Sequence, residues 1–372
     1  MTLARLNNLT ASLLTSKLDA VILNPGPTLT YLTGMQFHLM ERPVVLFVAP
    51  GKDPVLVLPE LELPKVDLFP YKVQAFAYGE LPSEWVDAFR KATQALGLTR
   101  SAGKRIGVEP RQLRLLEFSY AKAGAPEADF PDASEALSQL RLRKDKAEVD
   151  AMRRAVKIAQ DSLEAVIPLI KIGMTERELA GELVIQLFKH GSDTELPFSP
   201  IVSGGPNSAN PHASPSDRKL QAGDMLVVDW GAAYGGYISD LTRTFAVGEV
   251  DAECRKIHKI VQEANAAGRA AGKPGAPCAH VDIAARTVIE NSGYGKYFNH
   301  RTGHGIGMEA HEDPYMRGDN MQLLEAGMAY TVEPGIYLTN RNGVRIEDNL
   351  VITESGAESL SNMPREIRVV GE

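Results

Sequence analysis

Two acidic residues close apolar runs in this sequence, and each has an acidic counterpart a short loop away. Met225-Leu-Val-Val-Asp229-Trp-Gly ends an apolar strand on a charge, and Tyr237-Ile-Ser-Asp240-Leu-Thr-Arg-Thr-Phe245 alternates like its return strand across the Ala233-Tyr-Gly-Gly236 turn. A hairpin symmetric about Tyr234 and Gly235 sets Asp229 directly opposite Asp240, with Cβ atoms about 5 Å apart. Tyr330-Thr-Val-Glu333 and Arg345-Ile-Glu347 flank a loop centred on Asn340, so Glu333 and Glu347 become cross-strand neighbours as well. Like charges facing each other across a sheet repel, and an unpaired buried carboxylate costs several kcal/mol, so the arrangement requires cations. A pair of divalent ions balances four carboxylates, and a usual separation of about 3.5–4 Å is one that bridging carboxylates span.

His304, in Thr302-Gly-His-Gly-Ile-Gly307, can complete a metal shell, because the flanking glycines let backbone and imidazole approach a crowded site. The same segment lacks the strand-to-helix context of a dinucleotide fingerprint. Oxygen-rich ligands with one nitrogen and no sulfur suit Mn²⁺, Co²⁺, Fe²⁺ or Zn²⁺. His212 (Asn210-Pro-His-Ala) and His311 (Ala310-His-Glu-Asp-Pro314) sit in loops beside prolines, where an imidazole near its working pH suits proton transfer or substrate hydrogen bonding. Arg345, on the same strand face as Glu347, can orient a carboxylate; a plain ion pair fits it equally well. Taken one at a time, each of these residues also fits a solvated turn or surface position. The conjunction of two acidic hairpins carries the argument.

The elements that must position them fall into two parts. Residues 1–132 read as a small α/β domain: Ala20–Leu23, Val44–Ala49 and Val55–Leu58 are short apolar strands, Trp85–Leu96 has helical spacing, and Arg105–Val108 offers another strand. Between Gly124 and Asp132 the composition shifts to Ala, Pro, Glu and Asp, marking the expected boundary. From 133 to 372 an α+β domain follows. A long helix keeps Val149, Met152, Val156, Ala159, Leu163 and Val166 on one face, and Thr175-Glu-Arg-Glu178 is a capping box that opens a second helix through Lys189. Beyond Ser192 the pattern is strand and turn, with helices around 252–271 and 280–291.

Composition narrows the remaining classes. With 372 residues, 44% apolar and 23% charged, the chain is an ordinary globular protein. A net charge of −7 without a basic run argues against a nucleic-acid partner. Cys254 and Cys278 lack the spacing of a thiolate zinc site or a disulfide framework, and both are expected to pack as small apolar residues. No apolar signal region or run of about 18 apolar residues occurs, so a cytoplasmic protein with no membrane partner is expected.

Five motifs in order, Val228-Asp-Trp-Gly231, Ser239-Asp-Leu-Thr-Arg243, Gly303-His-Gly-Ile-Gly307, Val332-Glu-Pro-Gly335 and Arg345-Ile-Glu-Asp348, resemble the pita-bread (M24) metallopeptidases: prolidase, aminopeptidase P and methionine aminopeptidase. The resemblance covers residues 140–365, and Tyr31-Leu-Thr-Gly34 with Glu41-Arg-Pro43 resembles the creatinase/prolidase N-terminal domain. It implies an N-terminal α/β domain followed by an α+β pita-bread domain with two divalent ions per subunit, Mn²⁺ first and Co²⁺, Zn²⁺ or Fe²⁺ after it. Asp229 is then a ligand of one metal, His304 and Glu333 of the other, and Asp240 and Glu347 bridge both. The full ligand set argues against creatinase and the non-catalytic relatives.

The resemblance further implies a bridging water or hydroxide as nucleophile, with Glu333 shuttling its proton. It gives His212 a role in proton transfer or amine binding, and His311 one in stabilising the oxyanion. Arg345 matches an arginine of prolidases and aminopeptidases P. Because the N-terminal domain accompanies Xaa-Pro peptidases, the expected substrates are short proline-containing peptides. A dipeptidase is favoured over an aminopeptidase P, then a methionine aminopeptidase-like enzyme, with a non-catalytic peptide-binding module as the alternative outside the enzymes. A homodimer is implied, in which Met35–Arg42 forms a lid that can reach the partner's site. Tyr315 stands where some archaeal-type prolidases have a carboxylate-binding arginine, leaving Arg42 or Arg345 to take that part.

Overall fold

A computed structural model describes residues 2–99 and 103–371. The chain divides into two compact units, Met1–Arg141 and Leu142–Glu372. The first holds a five-stranded sheet in the order Gln74–Tyr78, Val55–Pro59, Val45–Val48, Ala20–Leu23 and Ile106–Gly107, parallel at both edges and antiparallel between. Every residue of its three middle strands is buried, which is why those strands are continuously apolar. The helix Pro82–Ala95 covers the sheet with Phe89, whose ring meets Phe47 edge-on at 6.1 Å.

The expected second domain begins at residue 133, but the helix Ser134–Leu142 packs with the first unit. Ser12 Oγ donates to Ala136 O at 3.0 Å, and Tyr31 OH donates to Leu140 O at 2.8 Å. The composition shift after Gly124 therefore marks a loop inside this unit, not a linker. Its residues Asp129 and Asp132 bridge to Arg105 and Val108 and extend the sheet edge.

In the second unit the two larger sheets are each backed by helices. The first sheet runs Val369–Val370, Leu241–Val247, Met225–Trp230 and Ile201–Gly204; the second runs Glu312–Met316, Gly303–Gly305, Ala329–Val332, Asp348–Ile352 and Ala357–Ser359. Lys146–Val166 and Glu176–Lys189 pack on the first; all six apolar residues named above on the longer helix are buried, Val156, Ala159, Leu163 and Val166 of them in the core beneath this sheet. Both helices open on capping boxes, Thr175 with Glu178 as expected and Asp145 with Glu148. Ala252–Ala271 and Cys278–Asn291 cover the other side, burying Cys254 and Cys278 as small apolar residues. Among the described residues no helix is long and apolar enough to cross a membrane.

The hairpin that carries Asp229 is shifted in register. Tyr234 pairs with Tyr237 around a two-residue loop, Gly235-Gly236, both at positive φ (60° and 79°), the conformation a tight hairpin turn demands. The centre lies one residue later than expected, so Asp229 pairs with Thr242 and Asp240 is its diagonal neighbour. A two-residue shift preserves the face, and both acids still point to the same side. The other hairpin has the expected register: Val332 pairs with Asp348 and Gly335 with Arg345, placing Glu333 and Glu347 level about Asn340.

Candidate active site

Each acid sits where a ladder ends or opens. Asp229 is the penultimate residue of a strand buried along its whole length. Asp240 lies just before Leu241–Val247, where its N–H donates to Asn349 Oδ1 at 3.0 Å. Glu333 follows Ala329–Val332 and its N–H donates to Thr302 O at 2.7 Å; Glu347 precedes Asp348–Ile352 and its N–H donates to Thr242 O at 3.0 Å, joining the two sheets. His304 occupies the middle of Gly303–Gly305. A Cβ at Gly303 would lie 1.9 Å from Thr331 O and one at Gly305 2.2 Å from Asp313 O, so the flanking glycines are required by the close approach of neighbouring strands.

These residues converge. His304 Nε2 is 3.5 Å from Glu333 Oε1 and 3.7 Å from Asp240 Oδ2, and Asp240, His304 and Glu347 each offer a ligand atom within 4.8 Å of the others. Arg345, almost fully buried, donates through Nη2 to Asp229 Oδ2 at 2.5 Å, through Nε to Thr242 Oγ1 at 3.1 Å and through Nη1 to Tyr337 OH at 3.0 Å. Thr242 Oγ1 in turn donates to Glu347 Oε2 at 2.8 Å. The second oxygens, Asp229 Oδ1 and Glu347 Oε1, are buried and accept no hydrogen bond. Leaving such atoms unsatisfied is costly, and their placement beside His304 and Asp240 fits metal ligation.

Electrostatics say the same. Burial raises the Asp240 carboxyl far above the usual range, reinforced by Asp229 and Glu333; burial and then Asp240 do the same to Glu347. Asp229 is raised by burial against the opposing pull of Arg345, and Glu333 is pushed up to about 7, chiefly by burial. Among the described residues Arg345 is the only arginine or lysine ion-paired with any of the four carboxylates, and all four remain raised, so the site fits added cations. Burial, followed by the adjacent His311, holds His304 well below its ordinary value, leaving a neutral imidazole able to ligate.

His311 lies against His304, ring centroids 4.1 Å apart, and is kept below its ordinary pKa by desolvation and then by Arg301. His212 is exposed and lines the same cavity, of about 1030 Å³, as the four acids, His304, His311 and Arg345. The other two expected residues are not among those that line it. Tyr315 does not line the cavity and instead lies under Arg301, whose Cζ is 4.6 Å from its ring centroid. Arg42 belongs to the first unit, where it pairs with Glu80 at 2.6 Å.

Three participants were absent from the sequence reading. Tyr337 OH accepts from Arg345 and is 2.9 Å from His300 Nε2, while His300 Nδ1 is 2.7 Å from Arg301 O. Burial holds His300 down to about 4, so it is neutral; Nδ1–H donates to the carbonyl and Nε2 accepts from Tyr337. The chain His300–Tyr337–Arg345 thus fixes Asp229 from behind. His300 and Arg301 had a legible signal, lying within three residues of the Gly303-His-Gly motif. Tyr337 had none, being a lone aromatic in a strand.

Residues 150–354 match metallopeptidase family M24 and residues 5–143 the Creatinase/Prolidase N-terminal domain. The probable dipeptidase PepE of Mycobacterium tuberculosis is 37% identical over 95% of this chain and 92% of its own length. A prolidase from Thermococcus sibiricus superposes with a TM-score of 0.92 at 32% identity, covering 98% of both chains. An X-Pro aminopeptidase from Thermotoga maritima gives 0.84 at 28%, over 98% of this chain and 99% of its own. With its two-domain order, its cluster of acids around a neutral histidine, and these matches along nearly its whole length, the chain belongs to metallopeptidase family M24.

Proposed function

We propose that the chain is an Xaa-Pro dipeptidase that works with two divalent ions, Mn²⁺ the first choice. The observation that carries this reading is the convergence of Asp229, Asp240, His304, Glu333 and Glu347 in one cavity with His212 and His311 at its wall. Kinship to proteins described as dipeptidases and prolidases supports the choice of substrate. Asp229 would hold one ion, His304 and Glu333 the other, with Asp240 and Glu347 shared. When bound, the ions supply Lewis-acid polarisation of the scissile carbonyl and make the attacking water acidic enough to ionise near neutrality.

The protein's own groups do the rest. Glu333, facing the cavity, takes the water's proton and returns it to the leaving nitrogen. His311 donates a hydrogen bond to the carbonyl oxygen as negative charge develops there, and His212, lining the same cavity, orients the substrate. Arg345 holds Asp229 in place and favours its ionised form against the effect of burial. A peptide bond before proline has no N–H to recognise, so selection falls to shape, and Phe198, Ile201 and Phe298 give the cavity an apolar wall for the pyrrolidine ring. Action on longer peptides, as an Xaa-Pro aminopeptidase, is the second reading, favoured by the likeness to the Thermotoga structure.

Metal removal tests the reading. Chelation is expected to abolish Ala-Pro hydrolysis and Mn²⁺ to restore it, with two ions counted per chain by elemental analysis. Replacement of Asp240 by Asn is expected to lower restored activity by at least about 100-fold and to lower the ion count. Full activity in chelated protein would refute the proposal.

A further inference from the structure

We propose that Arg301, braced on Tyr315, binds the free C-terminal carboxylate of the substrate and thereby sets a preference for dipeptides over longer peptides. This deepens the dipeptidase reading and rests on it.

Four arginines line the cavity, and three are committed. Arg345 is bonded to Asp229, Thr242 and Tyr337. Arg286 donates to both Asp282 oxygens and to the carbonyls of Phe298 and His300, and Arg317 pairs with Asp319. Arg301 differs. Its Nε is buried without a hydrogen-bond partner, and among the described residues its guanidinium makes no ion pair; what holds it is the face of Tyr315. A guanidinium stacked on an aromatic ring keeps its in-plane donors free, and those donors match a carboxylate in a two-pronged geometry.

The backbone that carries Arg301 is pinned on both sides. His300 Nδ1–H donates to Arg301 O, Arg286 holds His300 O at 2.7 Å, and Asp282 Oδ1 accepts the Thr302 N–H at 2.9 Å. The Thr302 N–H also lies 3.2 Å from Met316 O, which keeps the Arg301 and Tyr315 segments side by side. The charge is felt across the cavity, since Arg301 contributes to the lowered pKa of His311 and opposes the rise at Glu333. A dipeptide with its scissile carbonyl at the acidic cluster carries a carboxylate one residue further on; a tripeptide carries a neutral amide there. Arg42 and Arg345, the two arginines suggested by the sequence, have acidic partners already.

The test is hydrolysis of Ala-Pro and of Ala-Pro amide by the Mn²⁺-loaded full chain, with R301A, R301K, Y315F and Y315L. In the wild type kcat/KM should favour the free acid, and R301A should shrink that preference about 10- to 100-fold, chiefly through KM. R301K, which keeps the charge without the fork, should fall between the two, and Y315F should retain the preference that Y315L loses. If the wild type cleaves Ala-Pro but R301A and R301K keep its full preference for the acid, Arg301 has no such role and the dipeptidase reading stands. If the wild type cleaves neither substrate, the dipeptidase reading and this inference fall together.

Discussion

Glu333 serves a base's purpose because burial outweighs the opposing pull of Arg345 and pushes its carboxyl up to about 7, close to the pH at which a proton must be taken and returned. In metal-free protein that shift has a sign that can be read. The folded state favours the protonated acid, so the contribution to stability is complete below the unfolded pKa of about 4.5 and is lost as pH rises through about 7. Glu333→Gln, neutral throughout, lacks this dependence. The melting temperature of chelated wild type should therefore fall relative to chelated Glu333→Gln between pH 5 and 8, equivalent to at most about 3 kcal/mol. A difference that stays flat across that range would show that Glu333 ionises freely. The convergence of the acids was legible in the sequence because two hairpins each set one acid beside another, although any one of them alone fits a solvated turn. The position of Arg301 beside the Gly-His-Gly motif was legible, but its significance was not, since that lies in what its guanidinium leaves unpaired, and pairing is a property of the folded chain.

At the level of elements, the site depends on strands approaching more closely than side chains permit. Gly303→Ala would place a Cβ 1.9 Å from Thr331 O, a clash with backbone that no rotamer relieves. We expect it to cost about 3 kcal/mol or more and to displace His304. Thermal melting together with Mn²⁺ titration checks both effects, and a variant that melts and binds metal like the wild type would contradict this account of the motif. Periodicity located the helices well: the buried face of Lys146–Val166 and the Thr175 capping box are both present. Register was read less securely. The Asp229 hairpin turns on Gly235-Gly236, and only the observed positive φ of both glycines fixes its centre. The error did no harm to the site because side chains alternate with a period of two, so a two-residue slip returned Asp229 and Asp240 to one face.

For the whole molecule, two units with separate cores were legible in the composition, but their border was not. The Ala, Pro, Glu and Asp stretch resembles a linker, yet backbone bridges at Asp129 and Asp132 make it part of the first sheet, and the helix after it buries its contacts there too. Likeness extends through both units to relatives described as dipeptidases, prolidases and an X-Pro aminopeptidase. What separates those activities is the length of peptide accepted. The most direct measurement is therefore kcat/KM for Ala-Pro, Ala-Pro-Ala and Met-Ala-Ser with chelated protein, before and after Mn²⁺ is added. The account predicts Mn²⁺-dependent cleavage with Ala-Pro preferred and Met-Ala-Ser untouched. Preference for Ala-Pro-Ala, or cleavage of Met-Ala-Ser at a comparable rate, would contradict it.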